Sequence, residues 1–345
     1  MIAIIPDLIL LADVSSGILL AIALRTALAV DLHWNPDRST PRQLMLEKDV
    51  EWLSPVMGVA EVIYGISTIL WIVSIAMLFP RDVPGAMCGT GVMQAMAPYG
   101  GIALMCRSGT VVLLYAWHAL DRIRREHLGL TGTREAVRVI PVIVPLAALG
   151  AYYAFRASRL LIDPDAVSCC AALMDEQTGG LSGWIASALT LPAVVPIVVF
   201  LTGSALAGMA WIVIRRGSVV RCGWRWGLAI MGIPWSLYAG RWAVGRIMPY
   251  CFGVLHHDCV WCLFLPVHHA PGFAFLLLLL ASIAELTVIL MISGLFAGSR
   301  PALEASDGRI RQAALRFLLL SVLYAAICLG YPLLYRLRFG VFITG

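Results

Sequence analysis

Six of the chain's nine cysteines, Cys88, Cys169, Cys170, Cys251, Cys259 and Cys262, fall in three segments between long apolar runs. The tightest group is Cys259-Val-Trp-Cys262, preceded by His256-His257-Asp258 and followed by His268-His269. Thiols three residues apart share one face of a helical turn, so their sulfurs can meet. A dithiol of this kind cycles to a disulfide by thiolate attack, through a mixed disulfide with a second pair. Cys169 and Cys170, or Cys251 with Cys88, are the candidate partners. Adjacent cysteines such as Cys169 and Cys170 close a strained ring together, so each is expected to take a different partner.

The same stretch also offers metal ligands. His256, His257, Cys259, Cys262, His268 and His269 lie within fourteen residues, and zinc and copper are commonly held by four such N/S donors. Haem is a weaker form of this alternative. Cys262 is followed by Leu263, whereas covalent attachment of a c-type haem needs a histidine there. A b-type haem wants facing histidines inside spans, and His118 is the one histidine within an apolar run. A third reading makes the cysteines structural staples that pin the three segments together.

The elements that carry these residues are membrane spans. The chain is 60% apolar and 13% charged, with mean hydropathy +0.87, against about 25% charged for soluble domains. Runs of some twenty apolar residues recur, each long enough to cross a hydrocarbon core about 30 Å thick. The expected fold is an all-α polytopic membrane helix bundle of about eight spans forming one integral domain over 1–345. The spans are Leu8–Val30, Val56–Phe79, Gly100–Leu120, Val139–Leu160, Gly183–Ile214, Gly227–Tyr250, Gly272–Leu295 and Ala313–Tyr335. The first span is read as a retained helix, because no Lys or Arg precedes it and Asp7 and Asp13 interrupt its apolar run.

Charge orients the bundle. Segments 31–55, 121–138, 215–226 and 296–312 hold fifteen of its basic residues, while the opposite segments and the termini hold Arg81, Arg336 and Arg338. The positive-inside rule makes the first set cytoplasmic. Both termini and segments 80–99, 161–182 and 251–271, with all six grouped cysteines, are then extracytoplasmic, where disulfides persist. The expected location is the plasma membrane, the inner membrane if the source is bacterial. The net charge of +5 reflects this loop bias, so no nucleic-acid partner is inferred.

Arg107 and Arg241 stand several residues inside apolar runs, where an uncompensated charge is costly. With Trp242 and the aromatic residues near it, they are candidates to hold a quinone headgroup. The simpler account pairs Glu285 or Asp13 with Arg241 or Arg107. A proton path through the same acids is the sharper one.

A CxxC beside a membrane helix, with a second cysteine pair on another outer loop, resembles the quinone-linked disulfide-generating membrane proteins and the vitamin K epoxide reductase group. The likeness touches Cys259, Cys262 and the Cys169/Cys170 loop. Those proteins are four-helix bundles, and eight spans depart from that pattern. The resemblance implies a membrane thiol–disulfide oxidoreductase passing electrons from an extracytoplasmic partner to quinone. The other readings are a metal- or haem-handling protein serving an extracytoplasmic metalloprotein, and a non-catalytic anchor subunit of a respiratory complex.

Overall fold

The computed structural model describes residues 4–37, 39–162, 167, 194–217, 222–253 and 259–343. Eight long helices account for most of them: α1 (Ile4–His33), α2 (Pro41–Val73), α3 (Tyr99–Ile123), α4 (Ile140–Leu160), α5 (Val194–Arg216), α6 (Cys222–Phe252), α7 (Pro271–Leu295) and α8 (Asp307–Phe339). No strand occurs among the described residues. Seven of the eight are long and apolar enough to cross a membrane. The exception is α6, whose 31 residues include Arg225, Arg241, Arg246, two prolines and four tryptophans that dilute its apolar run.

Segment 31–55 was expected to be a loop and is mostly helix. The Thr40 hydroxyl accepts the Gln43 N–H at 3.2 Å, and Pro41 occupies the first turn, where its missing N–H costs nothing. Leu46, Val50, Leu53 and Met57 then continue the buried stripe of α2. Asp49 and Glu51 point outward, so charge on the exposed face masks a helix whose buried face is uninterrupted. The expected fifth span began at Gly183; the described helix begins at Val194, and residues 183–193 lie outside the described set.

The helices form two four-membered rings. In the first, α1 packs on α2, α2 on α3, α3 on α4 and α4 back on α1; α5 to α8 close in the same order. Ala23, Ala27 and Ala60, all essentially inaccessible, let α1 and α2 approach closely, as small residues do where lipid supplies no hydrophobic drive. The rings meet where α3 lies along α7. Leu114, Trp117, Leu286 and Ile289 belong to the one large apolar core that both rings share.

Each end of this seam carries a π-helical turn. Ser74–Leu78, continuing α2, packs against the 3₁₀ turn Val260–Phe264; Arg124–Leu128, continuing α3, packs against the short helix Arg300–Ala305. Such turns often mark functional positions. The first of them borders the cysteines.

Candidate metal centre

Cys88 and Cys259 are 171 residues apart in sequence, yet their sulfurs lie 3.3 Å apart. Cys262 joins them, and the three Sγ atoms all fall within 4.8 Å of one another. Cys88 comes from the first ring and Cys259 and Cys262 from the second. Each stands in the segment leading into a seam helix, Cys88 ahead of α3 and the pair ahead of α7. The site therefore forms only where the two rings meet.

Local backbone presents the sulfurs. Cys88 is extended and caps the short helix Gly89–Ala95. Cys259 is also extended and opens the 3₁₀ turn Val260–Phe264, with the Cys262 N–H donating to the Cys259 carbonyl at 3.1 Å. In a 3₁₀ turn residues i and i+3 eclipse, which brings the two thiols to one side. The CxxC does not run on into α7. It lies instead in a separate turn, because Pro266 and the left-handed residues His269 and Ala270 redirect the chain before α7 starts at Pro271. The α7 dipole is thus not what favours a thiolate here.

Neighbouring donors do that. The Cys262 thiol, then the Cys88 thiol, hydrogen-bond to Cys259 and pull its pKa well below the usual thiol range, against the opposing effect of burial. The Thr90 hydroxyl, 3.1 Å from the Cys259 sulfur, acts in the same direction. Cys262 is pushed up, because it serves as the donor to Cys259 and is itself buried. Cys259 is therefore the sulfur of the group that most readily becomes a thiolate.

The walls are apolar. Cys88, Cys259 and Cys262 are 4%, 1% and 8% exposed, too little for bulk water to solvate a thiolate, and Ala86, Phe252, Trp261 and Leu265 close around them. Trp261 spans the two rings. A methyl group added at Gly89 would stand 2.8 Å from its indole, so Gly89 is the seat that Trp261 needs. No disulfide is present among these three, since a bond needs about 2.05 Å. The sulfurs of three thiolates bound to one ion at about 2.3 Å stand roughly 4 Å apart. The Cys88–Cys259 pair at 3.3 Å is tighter than that value, and all three sulfurs lie within 4.8 Å of one another.

No family model, no curated protein and no solved structure matches this chain. The site has to be read from its own geometry.

The other sequence-derived residues divide as follows. Cys169, Cys170, His256 and His257 lie outside the described residues. Val167, just ahead of the cysteine pair, donates its N–H to the Pro84 carbonyl at 3.0 Å. Cys251 is half-buried on α6 beside Ile247, Met248, Leu263 and Phe275 and is not in the three-sulfur group. Neither are His268, whose ring stacks edge-on to Phe252 at 4.5 Å, or His269. Thr90, Gly89 and Trp261 escaped the sequence reading. Of these, Trp261 alone carried a signal, lying between the two cysteines.

Arg107 and Arg241 occupy different places. Arg107 is fully buried in the first ring, ion-paired with Asp13 of α1 and bonded to the Ser67 hydroxyl of α2 at 3.2 Å. Of the sequence-expected pairings this one is present. Arg241 lines a cavity of about 210 Å³ under the cysteine turn, with Val260, Leu263 and Phe264 on its wall. A neighbouring apolar cavity of about 370 Å³ contains Trp242; Gly240, Leu279 and Tyr324 line both. Glu285 pairs with Arg309 at 3.0 Å and Arg316 at 3.2 Å, not with Arg241 or Arg107, and the Tyr115 hydroxyl donates to it.

Proposed function

We propose that this is a metal-binding membrane protein whose Cys88, Cys259 and Cys262 hold one thiophilic ion, zinc or copper(I), at the junction of its two helical rings. The observation that carries this reading is the convergence of three buried sulfurs from two rings within 4.8 Å. A disulfide uses two sulfurs and leaves the third idle, whereas one ion uses all three. Deprotonated thiolates repel each other in an apolar enclosure, and a cation removes that repulsion while restoring charge balance. Thiolate sulfur selects zinc or copper(I) over hard ions. Bound there, the ion ties the rings together at the end that the basic-residue bias assigns to the extracytoplasmic side. Metal content of the purified, reduced protein tests this. One equivalent is expected, and it is lost in Cys88→Ser.

The 3.3 Å separation of Cys88 and Cys259 favours one second reading, thiol–disulfide exchange. The Cys259 thiolate and the Cys88 thiol would form an S–S bond, releasing two electrons and one proton to a quinone, which takes its second proton from water to become the quinol. Arg241, on the cavity that reaches the cysteine turn, and Trp242, on the one adjoining it, are then the residues to receive the quinone. Arg107, committed to Asp13, takes no part. A purified protein that contains no metal and shows a Cys88–Cys259 disulfide would favour this reading over the first.

A further inference from the structure

We propose that a cleft between α1 and α4 is a water-filled inlet through which protons from the cysteine end of the bundle reach Asp13. The cleft holds about 550 Å³, and Asp7, Asp82, Ser158 and Arg159 line it with Asp13. Asp13 lies about 14 Å along α1 from Ile4, at 1.5 Å per residue. It is 5% exposed, so the cleft penetrates deep into the ring.

Two buried donors next to it indicate a wet site. The Arg107 Nε and the Trp71 indole nitrogen have no hydrogen-bond partner, and both residues are 0% exposed. The Arg107 guanidinium lies 5.7 Å from the Trp71 ring, so the two donors belong to one small region. Buried donors in folded proteins are nearly always satisfied, by ordered water where protein offers no acceptor. The Asp13 oxygens are already taken by Ser67 and Arg107. The Tyr64 hydroxyl beside Arg107 is unpartnered as well, so what fills the region must both donate and accept hydrogen bonds. Three carboxylates along the cleft disfavour an anion, which leaves water.

The charged and titratable groups around Asp13 are accounted for on every packed element. Asp7 shares α1, Tyr64 and Arg107 come from α2 and α3, Asp82 follows α2, and Arg159 comes from α4. A proton delivered by cleft water would bind the Asp13 carboxylate and break its ion pair with Arg107, leaving the guanidinium over the Tyr64 and Trp71 rings. Asp13 is then a proton-binding group exposed to one side only. None of this depends on the cysteines or on a bound metal.

The test uses the full chain in lipid nanodiscs. Ser158→Cys places a thiol on the cleft wall without touching the ion pair, and labelling by charged methanethiosulfonates is read by peptide mass spectrometry. The cationic reagent is expected to react about tenfold or more faster than the anionic one, as an acidic cleft concentrates cations. In parallel, infrared spectra are followed on acidification. A carboxylic C=O band should grow, shift promptly in D₂O, move in Asp13→Glu and vanish in Asp13→Asn. If Asp13→Asn does not fold, the glutamate variant makes the assignment. Equal labelling rates, no labelling, or no exchangeable band that moves in Asp13→Glu would each overturn the proposal.

Discussion

The seam between α3 and α7 ends in two polar clusters, and they are finished to different degrees. At one end Glu285 faces Tyr115, Arg309 and Arg316, so an acid meets two cations and a hydroxyl donor. The chain itself supplies the counter-charge to the acid there, although the Glu285 Oε2 and one Arg309 nitrogen make no hydrogen bond. At the other end Cys88, Cys259 and Cys262 face one another and Thr90. Like groups face like there, and no cationic side chain is in the group. The Glu285 cluster links the rings through Tyr115 of α3 with side chains of its own. The cysteine cluster offers three sulfur donors to a partner of opposite charge and soft character. A buried polar cluster thus points to a ligand when its own members cannot satisfy each other.

Substitutions at the two ends should separate these roles. The largest expected effect is on stability at the closed end. Glu285→Gln leaves Arg309, only 13% exposed in its side chain, without its counter-charge, which costs about 3–5 kcal/mol when one partner of a buried pair is removed. Thermal unfolding in detergent should show the loss while metal content stays at the parent level. Loss of metal as well would mean that the ends are coupled.

Next comes Cys259→Ser. Removing one of three ligands should weaken metal binding by more than about 100-fold, since even outer-shell changes cost 10–100-fold. Competition with a chelator measures it. Unfolding of the metal-free form should shift little beside the Glu285 variant.

Tyr115→Phe is expected to cost about 1.5 kcal/mol, the value of a hydrogen bond to a charged group, again with no change in metal content. Unfolding in denaturant checks this.

The smallest effect is a matter of protonation. In the metal-free protein the Cys259 pKa is lowered, chiefly by the Cys262 thiol. Its thiolate should therefore persist as pH falls below the ordinary thiol value of about 8.5. Cys262→Ala removes the main donor, so the midpoint of thiolate ultraviolet absorbance should move up. A midpoint that stays put would show that Cys262 does not hold the thiolate.

Much of the frame was legible in the sequence. Apolar runs predicted eight spans, and seven of the long helices are fit to cross a membrane, because that property is local. Segment 31–55 was misread because Glu47, Asp49 and Glu51 lower its hydropathy although Leu46, Val50 and Leu53 keep a helical buried face. The cysteine site was half legible. Cys259 and Cys262 are neighbours in sequence, and short spacing carries geometry with it. Cys88 was noticed for its loop, but its contact with Cys259 depends on how two four-helix rings dock. The His268-His269 pair looked like ligand by proximity, yet the left-handed turn at His269 and Ala270 leads the chain off into α7. Arg107 illustrates the converse. Its depth in an apolar run marked it as costly, and Asp13, far away in sequence, compensates it.

X-ray absorption at the metal edge, on the reduced full-length protein as purified, addresses the shared three-sulfur ion most directly. One ion per chain with three sulfur neighbours at about 2.3 Å, falling to two sulfurs in Cys88→Ser, is the expected result. A metal-free protein, or an ion whose sulfur shell is unchanged in Cys88→Ser, would contradict it.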